Sequence, residues 1–167
     1  FHGHHIALSM DLLGTAISSI GTFSERRIAR LMSAENLPTF LTDKGGLNTG
    51  LMMLQYTAAS LVSENKILAH PASVDSIPTS AGQEDYNSMG TTAAKKANEI
   101  VKNVRCVIAI EYVCASQALE FAKSSRLCKA VKIASEVIRM SVPRIKEDRT
   151  LYQDIEKVDK LILDDTI

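Results

Sequence analysis

The sequence contains no tryptophan, and aromatic residues make up only 5% of the 167. This scarcity argues against a surface that stacks nucleic-acid bases on aromatic rings. The chain also has no excess of charge of either sign, because 19 basic residues balance 19 acidic ones and the formal net charge is zero. The composition therefore gives no electrostatic basis for binding nucleic acid or an anionic membrane.

Cysteine is scarce too, since Cys106, Cys114 and Cys128 are the three in the chain. Their number is odd, and their spacing matches no zinc pattern. A redox pair is the disfavoured alternative. We expect three reduced, mostly buried thiols in an intracellular protein.

The chain shows none of the features of an exported or membrane protein. It lacks a basic segment followed by a long apolar core, so we expect no signal peptide and a cytoplasmic location. It lacks a run of about 20 apolar residues, so we expect no membrane span. It also lacks an initiator methionine and begins with Phe1-His2-Gly3-His4-His5. We therefore expect a piece of a longer protein, whose N-terminal part is a partner of this one.

Apolar residues recur at helical spacing along most of the chain, without convincing strand alternation. One face of a first helix, which continues to about Leu31, consists of Ile6, Met10, Leu13, Ile17 and Ile20. Pro38 and the pair Gly45-Gly46 then break the chain. A second helix, which ends before His70-Pro71, carries Leu51, Leu54, Ala58 and Leu61.

A third helix is predicted over residues 83–121, which contain no proline, and it would be about 60 Å long. Its apolar stripe includes Ala97, Ile100, Val104 and Val107. Two shorter neighbours could not cover such a rod, so we expect other subunits or other parts of the protein to do so. Shorter helices are predicted over 128–140 and 151–163. The fold class is all-α, an extended bundle of long, roughly antiparallel helices.

The segment from Ser80 to Gly90 is the most informative stretch for function. It follows a loop with two prolines and is predicted to open the third helix. Gln83 and Glu84 would then lie at a helix N-terminus, where the backbone N–H groups are unpaired. An amide and a carboxylate there could handle an amine or a proton. Ser80 and Gln83 also have the spacing of a simple capping box, which the pattern alone favours.

Several separated motifs, in order, resemble the C-terminal part of the histidine and aromatic amino-acid ammonia-lyases. These motifs are Phe1-His2-Gly3, Ser9-Met10-Asp11, Leu37-Pro38-Thr39-Phe40-Leu41-Thr42, Gly46-Leu47-Asn48-Thr49-Gly50, Ser63-Glu64-Asn65-Lys66, Leu68-Ala69-His70-Pro71-Ala72-Ser73-Val74-Asp75-Ser76 and Pro78-Thr79-Ser80-Ala81-Gly82-Gln83-Glu84-Asp85. The resemblance is strong over 1–122, and only helical pattern agrees over 123–167. The whole of 1–167 is accordingly expected to be the C-terminal helical part of an ammonia-lyase-like subunit, and the resemblance outweighs the capping-box interpretation.

The resemblance implies a lyase that removes ammonia from L-histidine to give urocanate, acting as a homotetramer. The electrophile of that family is a methylidene-imidazolone ring formed from an Ala-Ser-Gly run. This sequence has no such run, since Ser80-Ala81-Gly82 has another order. The ring and the tyrosine that takes the β-proton are therefore expected upstream of Phe1, and this chain alone should be inactive. No metal is expected.

Three positions carry over from the family by its motifs. Phe1 matches an aromatic residue that lines the substrate pocket. Gln83 matches a glutamine in the polar network around the electrophile. Glu84 matches the acidic position that, in histidine-preferring members, contacts substrate or takes part in proton transfer.

Two neighbouring features depart from the histidine pattern. Gly82 replaces the usual asparagine, which affects that hydrogen-bond network. The following Asn87-Ser88-Met89-Gly90 is closer to the phenylalanine type. A phenylalanine or tyrosine ammonia-lyase, a 2,3-aminomutase of the same family and an inactive structural subunit therefore stay open.

Other candidate sites are weaker. The histidines of residues 2–5 could suggest a metal cluster, but no acidic or cysteine partner lies at ligand spacing. Ser73 and Asp75, near His70, could suggest a hydrolase, but no Gly-x-Ser-x-Gly turn supports one. A polar loop is the favoured interpretation.

Overall fold

The computed structural model describes residues 2–122 and 127–167, and in these ranges the chain is α-helical with loops and short 3₁₀ turns. The helices are α1 (His4–Met32), α2 (Met52–Leu68), α3 (Gly90–Phe121), α4 (Lys129–Ser141) and α5 (Tyr152–Leu163). The described residues hold no β-strand, only isolated bridges that join 45 to 48 and 79 to 84. The predicted all-α class is confirmed, and each predicted helix is present.

The chain divides into two compact units. One consists of Phe1–Thr22 and Leu61–Val104, and the other of Phe23–Ser60 and Arg105–Ile167. The boundary falls within α1, α2 and α3, so each unit contains a segment of all three helices.

In the first unit α1 and α3 run parallel. Gly14 packs against Ile100 and Gly21 against Val104, so the numbering rises together along both helices. The direction of α2 is opposite, because Asn103 bonds to Asn65 whereas the earlier Lys96 bonds to the carbonyl of the later His70. Helix α2 therefore runs antiparallel to both α1 and α3, as the predicted bundle of roughly antiparallel helices requires.

The inward face of α1 differs from the predicted one. Its buried positions include Ala7, Gly14, Gly21 and Ile28, spaced by seven residues. The predicted apolar face is largely open, since Ile6 is 48% and Ile20 is 51% exposed. Periodicity of bulky residues pointed to the wrong face, because small residues are what allow two helices to approach closely.

Helix α3 begins at Gly90, not at Gln83 as predicted. Its 32 residues give about 48 Å, not about 60 Å. No break interrupts it between 92 and 118, and its predicted apolar stripe is buried by the chain itself. Helix α1 exposes more large apolar side chains than α3 does, and these include Leu8, Leu12 and Phe23. The expectation that further protein covers an exposed apolar surface therefore rests on α1 and not on α3.

Helix α1 is also long and apolar enough, by length and composition alone, to cross a membrane. The expectation that no segment spans a membrane rested on the lack of an unbroken run of about 20 apolar residues, and it stays a prediction. Charged residues of this helix are nevertheless engaged by the protein: Asp11 accepts a hydrogen bond from Ser73, and Arg27 pairs with Glu111.

The three cysteines are free thiols, but they are not uniformly buried. Cys114 is buried, Cys106 is half-buried and Cys128 is exposed just before α4. Burial raises the pKa of the Cys114 and Cys106 thiols, which disfavours their reactive thiolate forms.

A buried glutamine joins three segments of the second unit. The side-chain amide of Gln117 on α3 donates to the carbonyl oxygens of Leu41 and Ile145 at 3.3 and 2.8 Å. Its oxygen accepts from the N–H of Ile145 at 3.2 Å. Polar backbone groups of two loops are thereby satisfied in a place that water does not reach.

Candidate active-site loop

The loop between α2 and α3 carries Gln83 and Glu84, two of the three predicted site residues, and α1 anchors its first part. The Asp11 carboxylate accepts a 2.7 Å hydrogen bond from the backbone N–H of Ser73. Ser73 therefore belongs to a structural anchor, and its bond to Asp11 gives no support to the hydrolase interpretation. No signal in the sequence connects these two residues.

Asn87 organises the second part of the same loop. Its side-chain amide donates to the carbonyl oxygen of Ile77 at 2.7 Å and to the hydroxyl of Thr79 at 3.0 Å. Its backbone N–H donates to the hydroxyl of Ser76 at 2.9 Å. These bonds hold residues 76–87 in a compact non-helical turn, which explains why α3 starts later than predicted.

Thr79 and Glu84 form the neck of a short turn. The N–H of Thr79 donates to the carbonyl of Glu84 at 3.0 Å, and the N–H of Glu84 donates back at 3.3 Å. Between them, Ser80, Ala81 and Gly82 all have positive φ, at 55°, 56° and 85°. The N–H of Gln83 bonds to the backbone carbonyl of Ser80. The predicted helix N-terminus at Gln83 and Glu84 is therefore wrong.

Left-handed backbone explains the departure at Gly82. Glycine adopts positive φ without a steric cost, and asparagine tolerates it better than most other residues. A Cβ atom built at Gly82 would meet nothing within 4 Å. The asparagine that the family resemblance leads one to expect would therefore fit the conformation that Gly82 adopts here.

The side chains of Gln83 and Glu84 are exposed at the end of this turn. One carboxylate oxygen of Glu84, Oε2, accepts a 3.2 Å hydrogen bond from the hydroxyl of Thr79. The other oxygen is available to a ligand. A fixed, exposed carboxylate of this kind can accept a hydrogen bond from an ammonium or an imidazole N–H.

The start of α1 reaches the same loop. The His2 ring nitrogen Nε2 lies 3.0 Å from the carbonyl oxygen of Tyr86, and the two rings stack with centroids 5.5 Å apart. The His4 ring meets the Tyr86 ring edge-on. His2 therefore contacts Tyr86, which lies two residues after Glu84 in the chain. Phe1 lies outside the described residues, and its place beside Glu84 stays a prediction.

Of the predicted site residues, the structure thus places Gln83 and Glu84 together, on a loop and not on a helix. Sequence reasoning missed Asp11, Thr79 and Asn87 as residues that shape this loop. Asp11 and Thr79 occur in the family motifs and Asn87 in the stretch closer to the phenylalanine type, but their hydrogen bonds join positions that only the folded chain brings together.

Solved structures of amino-acid lyases and aminomutases share this architecture. A histidine ammonia-lyase from Trypanosoma cruzi superposes with a TM-score of 0.95 and 43% identity, over 99% of this chain and 33% of that one. A tyrosine aminomutase from Streptomyces globisporus superposes with a TM-score of 0.92 and 35% identity, over 97% of this chain and 32% of that one.

The chain belongs to the aromatic amino acid lyase family, whose sequence model matches residues 1–140. The family predicted from the separated motifs is thereby confirmed. The curated histidine ammonia-lyase of Symbiobacterium thermophilum is 55% identical over 164 residues, which are 97% of this chain and 32% of that protein. The chain thus spans about a third of the length of the curated relatives it matches.

Proposed function

We propose that the protein containing this chain eliminates ammonia from L-histidine and releases urocanate. The observation that carries the proposal is the exposed Glu84 carboxylate, held by Thr79 on the loop of a chain that belongs to the aromatic amino acid lyases. A carboxylate at this position suits histidine better than a neutral side chain would, because histidine has a second group, the imidazole, that can donate a hydrogen bond.

Each carried-over residue has a distinct role in this proposal. Glu84 would accept a hydrogen bond from the substrate through the oxygen that Thr79 does not occupy, or would move a proton there. Gln83 would offer its exposed amide to the polar network around the electrophile. Phe1 would line the same pocket with an apolar wall.

The methylidene-imidazolone ring, when present, would supply the electrophile that makes ammonia a better leaving group. This chain contains no Ala-Ser-Gly run from which that ring could form. Gln83 and Glu84 are polar, exposed and adjacent, which fits residues that face such a ring from another segment of the protein. This part alone should therefore show no turnover.

The open apolar surface of α1 supports a proposal about assembly. Leu12 is 71% and Phe23 is 64% exposed, and a group of exposed large apolar side chains is typical of a surface that contacts another molecule. The charged residues Asp11 and Arg27 of the same helix are bonded to neighbouring parts of the chain. We propose that further protein, in a cytoplasmic homotetramer, covers this surface rather than lipid.

An aminomutase, or a phenylalanine or tyrosine ammonia-lyase, is the second candidate. The likeness to the tyrosine aminomutase favours it, because that enzyme shares the fold at 35% identity. An aminomutase would return ammonia to the β-carbon and release a β-amino acid. An inactive structural subunit would form neither product.

The test is a product assay on the protein as it is naturally produced. We expect urocanate and ammonia from L-histidine, and loss of turnover by about 10²- to 10⁴-fold for Glu84→Ala. Asp85→Asn is the matched control, because its carboxylate is the next in the chain and is also exposed. Near-normal turnover by Glu84→Ala would remove this residue from the reaction. A β-amino acid product would establish the second candidate instead.

A further inference from the structure

We infer that Asn87 is a positioning residue that acts through the Thr79 hydroxyl to hold the Glu84 carboxylate. The inference rests on the proposed function, because it assigns a role to Glu84. It adds a set of supporting residues that the family resemblance did not provide.

The direction of each hydrogen bond follows from the donors and acceptors present. The side-chain nitrogen of Asn87 has two protons, and its two partners are the Ile77 carbonyl at 2.7 Å and the Thr79 hydroxyl at 3.0 Å. A carbonyl oxygen can only accept, so the nitrogen and not the oxygen of the amide must face Ile77. Both protons of the amide are then used.

The Thr79 hydroxyl is thereby oriented. Because it accepts a hydrogen bond from Asn87, its single proton is free to point elsewhere. Glu84 Oε2 lies 3.2 Å away and accepts the hydrogen bond that this proton makes. The chain of donation therefore runs in one direction, from Asn87 to Thr79 to Glu84. It leaves the second carboxylate oxygen for a ligand.

The backbone between Thr79 and Glu84 is strained, so it needs hydrogen bonds from its surroundings to keep its conformation. Ser80 and Ala81 are non-glycine residues with φ of 55° and 56°, a conformation that costs free energy. Such a turn persists only when its surroundings hold it. Asn87, which follows the turn, bonds to Ile77 and Thr79, which lead into it. The paired backbone groups of Thr79 and Glu84 close the turn at its base.

This role also explains the mixed motif of the loop. Asn87 is part of the stretch that resembles the phenylalanine type, whereas Glu84 is typical of histidine-preferring members. The structure directs the Asn87 amide to the loop itself, so both residues can be present without competing for one substrate group.

The test compares three variants of the naturally produced protein, each checked for folding by its circular dichroism and melting. Thr79→Val removes the hydroxyl at nearly constant volume, Thr79→Ser keeps it, and Asn87→Asp removes both amide protons. Ser76→Ala is the control, because it breaks another hydrogen bond of Asn87 without touching the chain of donation. We expect kcat to fall about tenfold or more for Thr79→Val and Asn87→Asp. Thr79→Ser and the control should stay within about twofold.

A double-mutant cycle separates positioning from a general effect on the fold. In a Glu84→Ala background, Thr79→Val should cause no further loss of kcat, because the group it acts on is absent. Equal factors in both backgrounds would overturn the inference, and so would a Thr79→Ser variant as slow as Thr79→Val.

A crystal structure of the Thr79→Val protein gives a readout that does not depend on turnover. We expect the Glu84 carboxylate to leave its present position while the backbone of 79–84 is retained. An unmoved carboxylate would overturn the inference. If the unaltered protein does not convert histidine, the proposed function fails, and this structure still decides whether Asn87 and Thr79 position Glu84.

Discussion

The carboxylate of Asp11 on α1 accepts a 2.7 Å hydrogen bond from the backbone N–H of Ser73, 62 residues later in the chain. This contact attaches the beginning of the loop to α1, a helix that is distant in sequence. The same loop carries Glu84 further along. Burial of the Asp11 carboxyl opposes its ionisation, yet hydrogen bonds from Ser73 and Ala72 and the positive charge of Lys96 hold the pKa of Asp11 below its usual range.

Asp11→Asn should lower the free energy of unfolding at pH 7 by about 1 kcal/mol, because a neutral amide oxygen is a weaker acceptor. A lowered native pKa gives stability that is fully present above the unfolded pKa, about 4, and is lost as the pH falls through the native pKa. Urea unfolding at pH 7 and pH 3 measures the difference, which should narrow at pH 3. Asp75→Asn, in the same loop and exposed, is the control. A difference that is equal at both pH values would contradict the assignment.

Gly21→Ala and Gly14→Ala should have different effects on stability. A Cβ at Gly21 would lie 2.9 Å from Val104 Cγ2, a short and stiff side chain, whereas one at Gly14 would lie 3.1 Å from the terminal Ile100 Cδ1, which can move. Alanine improves helix propensity by up to about 1 kcal/mol, but overpacking costs about 1–3 kcal/mol. We expect Gly21→Ala to be destabilising and Gly14→Ala to be neutral or stabilising. Thermal melting of both variants tests this, and equal shifts would disprove it.

Gln117→Leu should destabilise the protein by about 2–3 kcal/mol, because leucine leaves the buried polar groups of Leu41 and Ile145 without partners. The midpoint of urea unfolding measures this loss. Gln153→Leu is the matched control, since Gln153 is exposed and its replacement should change stability by no more than about 0.5 kcal/mol. A loss at position 117 no larger than the control would show that the network does not contribute.

Leu12→Glu should weaken the proposed tetramer, because it places a charge on the open apolar surface of α1, where Leu12 is 71% exposed. Sedimentation of the naturally produced protein at micromolar concentration measures the assembly. Leu163→Glu on α5, where the leucine is 58% exposed, should leave the assembly intact. A stable monomer before any substitution would count decisively against the tetramer.

The sequence by itself determined the class, the helices and the family. Helical periodicity and the breaks at Pro38, Gly45-Gly46 and Pro71 are local properties, because a residue's neighbours within one or two turns set them. The ordered motifs identified the lyase family, and they named Gln83 and Glu84 as the residues to examine. Their position in an active site stays a prediction, as does that of Phe1.

The tertiary structure decided which face of α1 is buried and where α3 begins. Bulky apolar residues mark a face that could be buried, but close helix packing requires small residues, and Gly14 and Gly21 accordingly face α3. Helix α3 starts at Gly90 and not at Gln83, because Asn87 bonds to Ile77, ten residues earlier, and residues 83–89 are not helical. Asp11 and Ser73 likewise acquire their relation only when folding brings distant groups within hydrogen-bond distance. No local pattern encodes such a distance.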